Sequence, residues 1–263
     1  MADKKKKKKT RRKSSKKSSR SAASKPDSLS EPDDAPGGFG SEDDPPPPSL
    51  DFPVVGIGAS AGGLDAFKKF FDAMPAGSGM AMVVVPHLDP EHESLMVQLL
   101  ARHTEMPVHT AAEGMAIEPN AVYVIPPNNN LAVENGRLRL SPPTEPRGFE
   151  TAIDFFLRSL ARDQRGKAIC VILSGTSSHG VMGLREIKLT GGTVMVQTPQ
   201  TAAFDQMPRN AIATGLVDYV LPVEQMPQVL MDYARQPYVT DPSGSIAPSD
   251  RLLPLLAMLR AHT

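Results

Sequence analysis

Three short stretches of this chain carry residue types able to do covalent chemistry. In the first, Val54-Val55-Gly56-Ile57-Gly58-Ala59-Ser60-Ala61-Gly62-Gly63, an apolar run ends in a glycine-rich turn with one serine at its centre. Gly58-Ala59-Ser60-Ala61-Gly62 fits the nucleophile-elbow pattern, in which a strand-to-helix turn presents a serine hydroxyl above a sheet edge. The second stretch is Pro86-His87. An imidazole titrates near neutrality, so it can take a serine proton and return it to a leaving group. The third, Leu173 to Gly180, is a small polar loop whose backbone N–H groups are able to face an oxyanion. On this reading Ser60 is the nucleophile and His87 its general base. The glycines leave a second chemistry open. N–H groups at a helix start bind anions, so Gly56, Gly58 and Gly62 could cradle a dinucleotide pyrophosphate.

A dinucleotide site also wants an acidic residue about 20 residues beyond the glycines, at the end of the second strand. His87 stands at that place, with Asp89 shortly after, so the fit is poor. His87, Asp89 and His92 are metal-ligand types, but Pro90 interrupts the register between them and no third histidine is near in sequence. The expectation is no metal and no cofactor. The loop from Ser174 to Gly180 also has a plain structural reading, with Ser177 or Ser178 capping the following helix.

These residues need elements to position them. Phe52 to Ile57 is β-branched, uncharged and suited to a strand buried on both faces. Leu64, Phe67, Phe70 and Phe71 follow at helical spacing. Met80 to Val85 and Ala168 to Leu173 read as further buried strands, with shorter ones at Val108, Ala121 to Ile125, Thr193 to Val196 and Val217 to Leu221. Leu131 to Leu140 alternates around Asn135-Gly136, a hairpin signal. Helices are expected over Leu95 to Leu100, opened by Ser94, over Ile153 to Leu160, over Met182 to Leu189 and over Gln225 to Tyr233. The predicted fold class is α/β: a mostly parallel, doubly wound sheet with helices on both faces and one β-hairpin. Ligand sites in such sheets lie beyond the carboxyl ends of the strands, where Ser60, His87 and the loop from Ser174 to Gly180 all fall.

The 263 residues suffice for one α/β domain and tails. A formal net charge of zero hides an asymmetry. Residues 1–25 hold ten Lys, three Arg and one Asp, which leaves 16 basic and 28 acidic residues in the remainder, a net of −12. An acidic globular part argues against specific nucleic-acid binding. The single Cys170 cannot form an internal disulfide and suits a reducing cytoplasm. No apolar run reaches the roughly 20 residues that span a bilayer, and the basic N-terminus lacks the apolar core of a secretory signal. Residues 1–49, a lysine block and then an acidic, proline-rich piece, read as a disordered tail, solvated or attracted to an acidic partner.

Taken together, Ile57-Gly58-Ala59-Ser60-Ala61-Gly62-Gly63, Pro86-His87, Leu173-Ser174-Gly175, Phe204-Asp205-Gln206-Met207-Pro208-Arg209-Asn210-Ala211 and the run Ala211 to Leu221 resemble the catalytic domain of the chemotaxis protein-glutamate methylesterases (CheB type). The resemblance covers about residues 52 to 235 in the right order and spacing. It implies a Ser-His-Asp triad in that chain order. It also implies hydrolysis of glutamate methyl esters on methyl-accepting chemoreceptors with release of methanol, and often deamidation of receptor glutamines. By position, Ser60 is the nucleophile, His87 its base, and the backbone N–H groups of Ala61 and Thr176 the oxyanion hole.

The chain departs from the family at His179, which stands where the family has the triad aspartate. A neutral histidine accepts a hydrogen bond but brings no negative charge, so the expectation is a weakened or lost esterase unless Asp205 or Asp89 points in instead. A non-catalytic module that binds receptor or partner is the competing function. Residues 50–236 are expected to form the methylesterase domain. Residues 237–263 read as a linker and a leucine-rich terminal helix, resembling the opening of a receptor methyltransferase domain fused after such esterases, which makes a methyltransferase domain a candidate partner. Residues 1–49 are too short and polar for the receiver domain that usually precedes the esterase, so phosphorelay control in cis is not expected.

Overall fold

The computed structural model describes residues 50–87, 95–143 and 151–235. The expected helix opening at Ser94 lies outside them. Nine strands form within this part. β1 (Val54–Ala59), β2 (Ala81–Pro86), β3 (Val108–Thr110), β4 (Val122–Val124), β7 (Ala168–Ile172), β8 (Thr193–Gln197) and β9 (Tyr219–Leu221) make one sheet in the order β3-β4-β2-β1-β7-β8-β9. Every pairing in it is parallel. β5 (Asn130–Glu134) and β6 (Arg137–Ser141) make the separate antiparallel hairpin, with Asn135 and Gly136 in the left-handed region at its turn, as Asn-Gly predicts. Asp163 secures that turn by accepting from the Gly136 N–H at 3.1 Å.

Helices cover both faces of the sheet. α1 (Gly63–Ala73), α2 (Met96–Leu100) and α6 (Met226–Arg235) pack with Val55, Ile57, Val84, Ile169 and Val171. α3 (Ala152–Gln164), α4 (Val181–Leu189) and α5 (Gln206–Ile212), with the hairpin, pack against the opposite side chains, Val54, Val83, Cys170, Ile172 and Val194. Successive strand residues point to opposite faces, so strands buried on both faces must be apolar throughout, as β1, β2 and β7 are. The doubly wound fold is the expected one. α5 is an addition: Gln206–Ile212 carries a motif in the sequence but too short an apolar pattern to announce a helix.

Two glycines of β1 have a packing role in the structure. A Cβ on Gly56 would stand 2.8 Å from a Phe156 ring carbon, and one on Gly58 would stand 2.7 Å from Ile153 Cγ2. Both glycines face α3 and let that helix lie close on the sheet. A bare backbone is needed there for packing.

Candidate active site

The sheet order contains a switch point. From β1 the chain winds outward through β2 to β3 and β4 on one side, then returns to build β7, β8 and β9 on the other. The crevice between the carboxyl ends of β1 and β7 is where ligands of such sheets bind. Ser60 follows β1 at that crevice. Its N–H donates to the Ser174 carbonyl at 2.9 Å, which ties the first loop to the one after β7.

Register brings His87 to Ser60. β1 and β2 pair with Ala59 opposite Pro86, so the next residues of the two strands, Ser60 and His87, emerge side by side. The His87 N–H donates to the Ala59 carbonyl at 2.7 Å. Ser60 Oγ lies 3.4 Å from His87 Nδ1, and it donates there in the tautomer that carries the ring proton on Nε2. Ser60 is 6% exposed while His87 is open to solvent, so the serine sits at the floor of the site and the imidazole at its rim.

The turn differs from a strained nucleophile elbow. Ser60 is absent from the left-handed residues. Gly62, two positions on and the N-cap of α1, takes that conformation at φ 72°. Glycine adopts it without the Cβ penalty, so the sharp turn leaves no strain on the serine. Close by, a Cβ on Gly175 would meet Ser60 Cβ at 3.0 Å, which places the loop after β7 against the serine itself.

That loop also carries His179. Its ring meets the His87 ring edge to face, centroids 4.4 Å apart and planes at 69°. His179 Nδ1 is buried without a hydrogen-bond partner. Burial holds the His179 pKa below its ordinary value, the neighbouring His87 lowers it further, and the Asp154 carboxylate opposes both. Both effects disfavour a charge on the ring that rests against His87. The two serines suggested as caps do not cap α4: its N-cap is Gly180 at φ 85°, with no side-chain cap. Ser177 Oγ instead accepts from the His179 N–H at 3.2 Å and so braces the histidine's own backbone.

Among the described residues no carboxylate pairs with the His87 ring. Asp205 accepts from Arg209 Nε at 2.6 Å on the open side of α5, so it is not turned inward to replace the missing aspartate. Asp89 and His92 lie outside the described residues, and with them the suggested metal trio. Among the described residues no group of three metal-ligating side chains forms. The backbone N–H groups of Ala61 and Thr176, by contrast, have no protein acceptor among the described residues. They flank the Ser60 turn and the loop after β7. Phe204 closes one flank: its N–H donates to Ser174 Oγ at 3.0 Å, its carbonyl accepts from Gly175 N–H at 2.9 Å, and its ring stays 47% exposed.

Sequence reasoning missed Asp154. It is 3% exposed on the first turn of α3, accepting from the Gly183 N–H at 3.0 Å and from Thr151 Oγ1 at 2.6 Å. Its signal was a charge inside the otherwise apolar face of Ile153, Phe156 and Leu157. A cleft of about 640 Å³ between the hairpin and α3, lined in part by Arg139, Phe155 and Arg162, holds neither Ser60 nor His87. The chemistry-bearing groups lie instead on the open edge of the sheet.

Fold and site together define an α/β protein with serine-hydrolase geometry at its switch point. The family model for CheB methylesterase matches residues 55–230, and the chain belongs to that family. It is 32% identical over 191 residues to a putative protein-glutamate methylesterase/protein-glutamine glutaminase of Leptospira interrogans, 69% of this chain and 95% of that protein. An uncharacterized 104.1 kDa protein of Rhodobacter capsulatus is 39% identical over 154 residues, 58% of this chain but 16% of that one. The protein-glutamate methylesterase/protein-glutamine glutaminase of Thermotoga maritima is 30% identical over 183 residues, and the chain spans about half of its length, 53%. Among solved structures, the T. maritima CheB methylesterase catalytic domain superposes with a TM-score of 0.66 at 29% identity, over 70% of this chain and all of that one.

Proposed function

We propose that the chain hydrolyses glutamate methyl esters on methyl-accepting chemoreceptors, with Ser60 as nucleophile and His87 as base, at a rate weakened by His179. The observation that carries the reading is the 3.4 Å approach of Ser60 Oγ to His87 Nδ1 at the switch point. Ser60 Oγ attacks the ester carbonyl carbon while its proton passes to His87. The carbonyl oxygen becomes an oxyanion beside the Ala61 and Thr176 N–H groups, which have no acceptor among the described residues and are available to stabilise it. Collapse expels methoxide, which takes the His87 proton and leaves as methanol. Water then attacks the acyl-serine, gives its proton to His87, and releases the glutamate as Ser60 is re-protonated. The same steps on a glutamine amide release ammonia, so glutaminase activity belongs to the same reading.

An open edge rather than an enclosed cavity suits a side chain presented on another protein. The weakening has a physical cause. In a serine-protease triad, removing the acid's charge lowers turnover about 10⁴-fold, roughly 5 kcal/mol of transition-state stabilisation. A binding module without turnover is the second reading, favoured by the His87 ring meeting Ser60 Oγ and the His179 ring but no carboxylate among the described residues. Residues 50–236 are proposed as the catalytic unit. The long R. capsulatus relative supports a role for such a unit inside a larger protein, and a receptor methyltransferase domain remains the proposed partner. A serine-directed phosphonate tests the main reading: stoichiometric labelling lost in Ser60→Ala supports it, and an unlabelled wild type sinks it in favour of the binding module.

A further inference from the structure

Only two carboxylates are buried among the described residues, Asp154 and Asp163, and they sit at opposite ends of α3. Asp163 is occupied at the hairpin turn. Asp154 is at the end nearest the site. Its neighbour Ile153 packs where a Cβ would stand on Gly58, two residues before Ser60, and on Gly180, the residue after His179. Asp154 itself bonds the N–H of Gly183, one turn into the helix that His179-Gly180 opens. The carboxylate is therefore held by two donors, one of them four residues beyond His179 on the helix that the His179 turn opens, and the His179 ring in turn contacts the solvent-open His87.

We propose that Asp154 is a positioning residue that supplies the site's missing negative charge from one layer deeper, acting through His179 on His87. When His87 takes the Ser60 proton, a positive charge forms in contact with a neutral ring rather than a carboxylate. A buried, immobile anion behind that ring favours the charge across poorly solvating protein. The upward pull of Asp154 on the His179 titration is consistent with this placement. Asp205, the N-cap of α5, and Arg209 on it pair with one another at the surface. On β7, burial pushes the Cys170 thiol up and keeps it uncharged.

The inference rests on the esterase reading for its catalytic consequence, but the charge itself is readable without turnover. The test is an NMR titration of the His179 ring in wild type, Asp154→Asn and Asp154→Ser. Both variants keep an acceptor for the Gly183 N–H and remove the charge; the serine variant serves if the asparagine one does not fold. The His179 midpoint is expected to fall by about half a pH unit or more in either, and phosphonate labelling of Ser60 to slow by about threefold to tenfold. Asp65→Asn, an exposed change on α1, should leave the midpoint in place. A folded neutral variant with an unmoved His179 midpoint overturns the proposal, whatever its stability. A shifted midpoint in a protein that the phosphonate does not label upholds Asp154 as the charge and overturns the esterase reading alone.

Discussion

The His179 and His87 rings meet edge to face, with their centroids 4.4 Å apart. That contact gives the base a neighbour of the right size and the wrong charge. Two imidazoles in contact cannot both be protonated without repulsion.

Restoring the carboxylate should restore rate. His179→Asp is expected to raise turnover by ~10²-fold or more, since an ionised partner stabilises the imidazolium. Methanol release from a methylated receptor fragment is the assay. A wild type that already matches the mutant would show that His179 weakens nothing.

The same histidine makes stability depend on pH. Its folded pKa lies below the ordinary 6.5, because burial and His87 disfavour the charged form. An unfolded chain therefore binds a proton at His179 before the folded one does, and stability falls with pH from about 6.5 downward until the folded ring titrates. Above that window the contribution is complete. Urea midpoints compared at pH 7.5 and 5.5 should drop less in His179→Gln than in the wild type, and parallel drops would refute the assignment.

Gly58→Ala should destabilise the domain through α3 rather than through the site's chemistry. The added Cβ meets Ile153 Cγ2 at 2.7 Å, and that helix also holds Asp154. Overpacking of this kind costs about 1–3 kcal/mol. Thermal denaturation should register it as a loss of several degrees. An unchanged melting temperature would mean that α3 yields without cost.

Cys170 should be inert in the native state. It is fully buried in β7, and desolvation raises its thiol pKa. The thiolate is the reactive form, so a thiol reagent should label it only as fast as the protein opens. Rapid labelling under native conditions would contradict the burial of β7.

Much of the architecture was legible in the residues. Uncharged β-branched runs at β1, β2 and β7, separated by helical spacing, leave few alternatives to a parallel sheet buried on both faces, and Asn135-Gly136 marked the hairpin. Ser60 and His87 were legible because each follows such a run directly, at the edge where sites of this fold class gather.

Other features needed the tertiary structure, because they depend on which strands become neighbours. Register sets Ser60 beside His87, and the return of the chain to β7 brings His179 across from the far side of β1. No local pattern encodes that crossing. Gly56 and Gly58 looked like ligand-binding glycines until α3 was seen lying on them. Asp154 stands in a first helical turn, where charges are common, and only packing buries it and turns it toward the Gly183 N–H. Alternation and spacing are short-range properties of a chain, so they determined its strands and helices. Charge, burial and contact between distant loops are properties of the packed molecule, and those decided what surrounds the serine.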